Sequence, residues 1–378
     1  MIAAEAELKD ATILHKPAAA RFEREGLSLF IDGDGPDWAA LDARGARLYG
    51  LFDGTKTLGE VRRAHAEAAG ADAGQAWLDV QSLARELLQT GLLSLSPRPR
   101  GRYAGRAAHL EPRRLSEFWV HLTQTCNISC THCLVSSGPQ GEKGPDLGTL
   151  KDALAQAHAL GARRFYFTGG EPFARPDLLE LVAFVVEEKA AELVVMTNAT
   201  LLSPDRLAKL GAFDRGRLKF QVSLDGACAP VNDAIRGAGV FEKAAAGLAA
   251  LAKAGFETSL TAVVTRENLK DLEGLPGLGA RLGAKSLHLM WAHKRGRIVE
   301  AGGDPFPTNA ELLTLARAVR AGARAVGLSL DNAESLRRRA NGRPGVKNDL
   351  GNQCWESLCL YRDGAVYPSA ATAGLPEL

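Results

Sequence analysis

Between residues 115 and 330 the chain alternates two hydrophobic periods. Short, largely apolar runs at Phe118–Thr123, Arg164–Thr168, Leu193–Thr197, Lys219–Ser223, Ser259–Val264 and Ser286–Met290 read as strands. Stretches with three-to-four-residue apolar spacing lie between them. These predict helices over Gly148–Leu160, Asp177–Ala191, Ser203–Leu210, Val240–Ala254 and Leu269–Leu282, with a last one over Asn309–Val326. Six strand–helix units in series predict an α/β fold, a parallel sheet under an outer helical layer. Sites in such folds lie at the carboxyl ends of the strands.

Residues 1–95 follow another pattern. Arg21-Phe-Glu-Arg-Glu-Gly and Leu27-Ser-Leu-Phe-Ile alternate apolar and polar positions about Gly26, as a short hairpin does. Trp38, Leu41, Leu48, Leu51 and Phe52 mark a first helix stopped by Asp53-Gly54, and Thr57-Leu-Gly-Glu opens a second in capping-box form. A third is predicted over Ala73–Thr90, with Trp77, Val80, Leu83, Leu87 and Leu88 on one face and Gly91 at its end. A closing strand at Leu92–Leu95 completes a winged-helix-like layout. Residues 96–114 are rich in proline and glycine and carry six arginines against one acid, which reads as a linker. Residues 331–378 form a short, cysteine-containing extension in which Asp363-Gly364 signals a hairpin.

Composition removes several function classes. A length of 378 residues allows two to three domains, and 46% hydrophobic with 24% charged residues is a globular, not a disordered, composition. A net charge of +2 gives no global attraction to nucleic acid or an anionic membrane. The third helix carries Asp79, Arg85 and Glu86 where a DNA reader would carry a basic stripe. No apolar run is long enough to span a bilayer and no basic-then-apolar segment opens the chain, so a cytoplasmic location is expected. Six cysteines, three of them clustered, fit a reducing compartment and a metal site better than a disulfide framework.

The candidate chemistry falls on one rim. After the first strand comes Cys126-Asn-Ile-Ser-Cys130-Thr-His132-Cys133, a C-x3-C-x2-C spacing; after the second, Thr168-Gly169-Gly170-Glu171-Pro172. Thr197-Asn198-Ala-Thr200, Ser223-Leu-Asp225-Gly226, Thr265-Arg-Glu-Asn268 and Trp291-Ala-His293-Lys-Arg295-Gly-Arg297 follow the other four. Thiolates are soft ligands suited to iron–sulfur clusters, and three in one loop leave one iron of a 4Fe–4S cube without a ligand from that loop. Structural zinc, with Cys354 or Cys359 as fourth ligand, is the alternative at this point. Cys228, after the fourth strand, reads as a small buried thiol.

The cysteine spacing after strand one and Gly169-Gly-Glu-Pro after strand two resemble the radical S-adenosylmethionine (SAM) enzymes. Ser223-Leu-Asp-Gly followed by Asn232-Asp-Ala-Ile-Arg236-Gly is similar to their peptide-modifying subgroup. That resemblance implies a partial (β/α)6 barrel and a 4Fe–4S cluster on Cys126, Cys130 and Cys133, with SAM chelating the remaining iron. It implies SAM contacts from Gly169, Gly170 and Glu171, from Asn198, Ser223 and Asp225, and from Arg236 to the carboxylate. His132 and Val263 would lie near the adenine. A reduced cluster would split SAM into methionine and a 5'-deoxyadenosyl radical that takes hydrogen from the substrate. The electron would come from a donor such as flavodoxin or ferredoxin. No protein acid or base is identifiable; Trp291, His293 and Arg295 are candidates to face the substrate.

The leucine-rich helix ending in Leu51-Phe-Asp-Gly, followed by Thr57-Leu-Gly-Glu-Val, resembles PqqD-like domains, the precursor recognition elements of ribosomally made, modified peptides (RiPPs). A leader peptide would add as a strand to the hairpin edge. Cys354 to Ser369 resembles the start of a SPASM or twitch extension, in which Cys354 and Cys359 are candidates for one auxiliary iron–sulfur cluster. Ser369 stands where that pattern has cysteine. The combined expectation is a radical SAM RiPP maturase forming a C–S or C–C cross-link. A radical SAM enzyme of cofactor or haem-type biosynthesis and a non-catalytic iron–sulfur protein are the rivals.

Overall fold

The computed structural model describes residues 8–24, 26–32, 37–97, 114–300, 302–332, 356–369 and 371–373. They fall into two compact units, one before and one after the stretch 98–113. Most of the expected linker, and Cys354, lie outside the described residues.

The first unit holds an antiparallel sheet of β1 (Ala20–Arg24), β2 (Leu27–Asp32) and β3 (Asp37–Leu41), in that order, then α1 (Ala43–Leu51), α2 (Leu58–Ala69) and α3 (Ala73–Thr90). Gly26 turns β1 into β2 at φ 78°, in the left-handed region that glycine adopts without a Cβ penalty. Trp38 and Leu41, expected in the first helix because they satisfy helical spacing, lie in β3. Asp42 caps α1 by accepting from the Gly45 N–H at 2.7 Å, so the helix begins only after Leu41. The capping box on α2 is formed, with Thr57 and Glu60 bonded reciprocally. The expected closing strand reduces to one bridge, Ser94 with His15. Leu14, Leu48, Phe52, Val61, Val80 and Leu87 fill the core.

The second unit is a nine-stranded sheet. Its elements, in chain order, are β4 (Glu117–Thr123), α4 (Leu147–Ala159), β5 (Arg164–Gly169), α5 (Leu178–Ala183), β6 (Glu192–Thr197), α6 (Pro204–Leu210), β7 (Leu218–Ser223), α7 (Ala229–Arg236) and α8 (Val240–Lys253). They continue with β8 (Glu257–Val264), α9 (Leu275–Leu282), β9 (Ser286–Trp291), α10 (Arg297–Glu300), α11 (Asn309–Ala325), β10 (Ser329–Leu330), β11 (Ser357–Leu360) and β12 (Val366–Tyr367). Six strands, β4 to β9, pair in parallel in chain order, as the alternation of periods predicts. β10 extends one end; β11 pairs in parallel with β4, and β12 antiparallel to β11, at the other. The hairpin signalled by Asp363-Gly364 is therefore an added part of the main sheet. The end strands β10 and β12 are not paired with each other, so the described sheet stays open.

Alternation along each strand separates two faces. Phe118, Val120, Leu122, Phe165, Phe167, Val195, Phe220, Val222 and Leu260 are buried in one large core with the helices. The opposite, inner face begins with a charged tier. Arg164 lies 3.8 Å from Glu117 and 2.8 Å from Glu192, and Lys219 lies 3.6 Å from Glu192 and 3.3 Å from Glu257. Above it Trp119 stacks on Tyr166 at 4.0 Å between centroids. Higher still, toward the carboxyl ends, stand His121, Thr168, Met196, Ser223, Val263 and Met290, which line a cavity. A register shift between His121 and Thr123 opposite β5 redirects the chain just before the cysteine loop.

Phe167 is fully buried at the middle of the core face. Its replacement by alanine should cost about 3–5 kcal/mol. Chemical denaturation of the second unit's transition measures the loss.

Candidate metal and cofactor centre

The cysteine loop is fixed by backbone contacts before any side chain is considered. Cys126 N–H donates to Gly138 O at 2.9 Å, Gln124 N–H to Glu142 O at 2.8 Å, and Thr131 N–H to Ile235 O at 2.9 Å. Arg297 binds the loop from outside: its backbone N–H donates to Cys133 O at 3.0 Å, and its guanidinium to Cys130 O at 2.5 Å and Ser137 O at 2.6 Å. A Cβ on Gly296 would sit 2.3 Å from Cys133 O, so only glycine lets this segment reach the loop. Arg297 has no assigned role in the sequence reading.

Gly169 and Gly170 serve the same loop from the other side. A Cβ on Gly169 would stand 2.4 Å from Thr123 O, and one on Gly170 2.1 Å from Thr125 O. The family resemblance implies that both contact SAM. The structure shows that they are also closely packed on the root of the cysteine loop, with the Gly170 N–H donating to Thr123 O at 2.6 Å.

All three cysteines of the loop line the inner-face cavity. So do His132, Gly169, Gly170, Glu171, Asn198, Ser223, Arg236 and Val263, gathered from the ends of five strands and from α7. Desolvation pushes the Cys126 thiol up to about 12 and also raises Cys130, against the nearby Arg236 charge. Among the described residues no group of three His, Cys, Asp or Glu closes round a single ion. A cube gives each thiolate its own iron, so its ligands need not converge on one point. Three thiols on one wall, each met by an N–H donor, suit such a cluster in donor chemistry. The donors are Asn198 Nδ2 to Cys126 Sγ at 3.8 Å, Arg236 Nη1 to Cys130 Sγ at 4.0 Å and Ser137 N–H to Cys133 Sγ at 3.2 Å.

Asp225 departs from expectation, being absent from the cavity wall and wholly buried behind it. Oδ1 accepts the Val263 N–H at 2.8 Å; Oδ2 pairs with His132 Nε2 and lies 2.6 Å from Arg236 Nε. Burial opposes its ionisation, but Arg236 and His132 hold the carboxyl well below the usual range. His132 and Arg236 are thus tied to Asp225, and the Val263 N–H is not available to an adenine. Arg236 is neither a surface residue nor an isolated cation; its Nε is ion-paired with Asp225 without the alignment of a hydrogen bond, its Nη1 reaches Cys130 Sγ, and the side chain lines the wall.

Glu171 is buried too, and bridges strand ends. It accepts from Phe173 N–H at 3.0 Å, Thr197 Oγ1 at 2.6 Å and Asn198 N–H at 2.8 Å. Burial raises its pKa against these three donors. Asn198 Nδ2 in turn donates to Asn127 Oδ1 at 3.0 Å, joining the end of β6 to the cysteine loop.

Trp291 and His293 line the cavity, whereas Arg295 does not and donates to Ala371 O at 3.1 Å. The wall also holds His121, which no motif marks in the sequence because it is one histidine in an apolar strand. It is 5% exposed and its Nε2 has no hydrogen-bond partner among the described residues. Burial, then Arg295 and Arg362, lower its pKa to about 4. Cys359 is enclosed by Tyr361, Ala373, Trp119 and Tyr367, and desolvation pushes its thiol up to about 12. Cys228 is half-buried, not buried as expected, because it opens α7 and its thiol reaches Asp271 Oδ1 at 3.2 Å.

An open parallel α/β sheet with a cysteine loop and a glycine pair at adjoining strand ends defines a cluster-binding class of enzyme fold. The family model described as the Radical SAM superfamily matches residues 120–275. The PqqA peptide cyclase of Ruegeria pomeroyi is 31% identical over 271 residues, 68% of this chain and 68% of that protein. This chain belongs to the radical SAM superfamily. Mycofactocin maturase MftC of Mycolicibacterium smegmatis is 36% identical over 188 residues, 50% of this chain and 47% of the relative, so the match spans about half of that protein's length. An AdoMet-dependent heme synthase of Methanosarcina barkeri is 34% identical over 180 residues, 47% of this chain and 50% of the relative. Streptococcus suis SuiB, solved bound to precursor peptide SuiA, shares the fold at TM-score 0.59 and 13% identity, over 95% of this chain and 85% of SuiB. No helix among the described residues is long and apolar enough to cross a membrane.

The neutral burial of His121 sets a pH dependence. Its folded pKa, about 4, lies below the unfolded value near 6.5, so the unfolded chain takes up the proton first. Stability is full above pH 6.5 and should fall by about 3 kcal/mol as pH drops toward 4. In His121→Phe, denaturation midpoints across that window should lose this part of the slope.

Proposed function

We propose that this chain is a radical SAM maturase acting on a ribosomally made precursor peptide. The observation that carries the reading is the convergence of Cys126, Cys130 and Cys133 with Gly169, Gly170, Glu171, Asn198, Ser223, Arg236 and Val263 on one cavity at the strand ends. The three cysteines would hold a 4Fe–4S cluster, and the surrounding wall would hold SAM. Bound together, these groups supply a 5'-deoxyadenosyl radical, made with one electron from a flavodoxin- or ferredoxin-like donor, that removes hydrogen from the substrate.

The chain's own residues bind and exclude. Glu171 and Asn198 hold the β5 and β6 ends against the cysteine loop, and Arg236 offers its Nη groups to a carboxylate. Trp119, Val135, Met196, Met290 and Trp291 give the cavity apolar walls that keep out water and stray hydrogen donors. Trp291 and His293 face the substrate side. Cys359, with Cys354, stays a candidate ligand of an auxiliary iron–sulfur site; the burial that raises its thiol raises Cys126 in the same way and does not set it apart from the cluster cysteines.

In this reading residues 1–95 are a PqqD-like, winged-helix-like recognition domain and residues 115–330 carry the reaction. Residues 331–378 are an incomplete SPASM- or twitch-like extension. Support for recognition comes from the three-stranded sheet, whose outer strands β1 and β3 each pair with β2 alone among the described strands, and from exposed Trp77 and Leu78 on α3. An extended leader peptide would add to such an edge through main-chain hydrogen bonds. Hydrogen abstraction from a core residue, followed by loss of a proton and of a second electron to an iron–sulfur cluster or an external acceptor, would then give a C–S or C–C cross-link. The heme synthase relatives favour a second reading, a small-molecule substrate of haem-type biosynthesis.

Anaerobically reconstituted full-length chain with dithionite and SAM should release 5'-deoxyadenosine, and Cys126→Ala, Cys130→Ala or Cys133→Ala should reduce it to background. Absence of product with the native chain refutes the enzymatic reading. The full-length chain should also bind the peptide encoded beside it, by fluorescence anisotropy, and lose that binding when Trp77 and Leu78 are both changed to Glu. A porphyrin substrate turned over with no peptide bound would favour the haem-type reading.

A further inference from the structure

The donors at the three sulfurs are of two kinds. Cys133 takes a backbone N–H, from Ser137 at 3.2 Å, as loops around clusters commonly provide. Cys126 and Cys130 are instead approached by side chains from other elements, Asn198 Nδ2 at 3.8 Å and Arg236 Nη1 at 4.0 Å. Neither donor is loose. Asn198 Oδ1 accepts from Thr200 at 2.7 Å, and Arg236 Nε lies 2.6 Å from Asp225. Arg236 is 6% and Asp225 0% exposed, so their charges act with little solvent screening.

We propose that Arg236 and Asn198 set the reduction potential of the cluster held by Cys126, Cys130 and Cys133, with Asp225 behind Arg236 opposing part of its effect. The inference rests on the cluster assignment of the preceding section. Reduction adds one electron, from an external low-potential donor, to a group carrying three thiolates, so its negative charge grows by one. A cation 4.0 Å from one sulfur and an amide N–H near another favour the more negative state and raise the potential. The buried carboxylate one side chain further back acts in the opposite sense. These are positioning and tuning roles, separate from any contact that Arg236 makes with SAM.

The experiment is a redox titration of the full-length, reconstituted chain without SAM, followed by the electron paramagnetic resonance signal of the reduced cluster. Arg236→Met should shift the midpoint to more negative potential, Arg236→Lys should return it most of the way, and Asn198→Ala should shift it in the same direction as Arg236→Met by less. Asp225→Asn should shift it to more positive potential. Opposite signs for residues 236 and 225 are a signature that simple loosening of the site would not produce. Equal midpoints for native chain and Arg236→Met, or shifts of the same sign at 236 and 225, would overturn the inference. If Asp225→Asn does not fold, the comparison of Met with Lys at 236 decides alone, and equal midpoints there overturn it. Iron and sulfide analysis keeps the two failures apart. A native chain that assembles no 4Fe–4S cluster defeats the functional reading, whereas a normal cluster with unmoved midpoints defeats only this one.

Discussion

A carboxylate without exposed surface must be matched by charge and hydrogen bonds, and the second unit is arranged around one that is. Asp225 stands at the end of β7 and is joined to β8 through the Val263 N–H, to the cysteine loop through His132 and to α7 through Arg236. Its own backbone is fixed as well: its N–H donates to Asn232 Oδ1 at 2.9 Å and its carbonyl accepts from Asn268 Nδ2 at 2.8 Å. Taking charges out of water costs several kcal/mol per ion, which attraction offsets only when geometry and remaining hydrogen bonds are in place. The arrangement is therefore more a device for specificity than a source of stability. It allows one relative placement of the loop, α7 and two strands.

The same economy appears on the other side of the loop, where contact is steric and not electrostatic. Gly169, Gly170 and Gly296 bring main chain to within reach of Thr123, Thr125, Cys133 and Leu134 carbonyls. Glu171 then ties the β5 end to the β6 end through Thr197 and Asn198. The cysteine loop is thus held between close-packed backbone on one side and, on the other, the buried side chains of Asn198 and Arg236, which are themselves tied to Thr200 and Asp225.

Much of this was legible in the residues. The periods of two and of three to four located the six central strands, and the motifs at their ends located the rim. What escaped has physical reasons. β3 was hidden because Trp38 and Leu41 satisfy two periods at once. α7 was obscured by its polar, motif-like composition, and residues 184–188 wind as a π-helical turn that no spacing rule separates from α5. Pairing of β11 with β4 is a long-range choice that local pattern cannot carry. Asp225 was found as a residue but misplaced as a contact, since sequence cannot distinguish a wall from the layer behind it. His121 needed the structure, because its meaning lies in burial and an unpartnered nitrogen.

That pairing of β11 with β4 also bears on how the protein is made. Ser357 to Leu360 lie beside Glu117 to Val120, the strand that leads into the cysteine loop. During synthesis β4 leaves the ribosome early, yet this neighbour emerges only after the other strands of the inner sheet. Until then one edge of β4 is open to strand pairing with other chains. Such long-range closure is slow relative to local helix formation. Metal loading of a nascent or shortened chain would therefore meet a cysteine loop whose leading strand lacks its β11 neighbour.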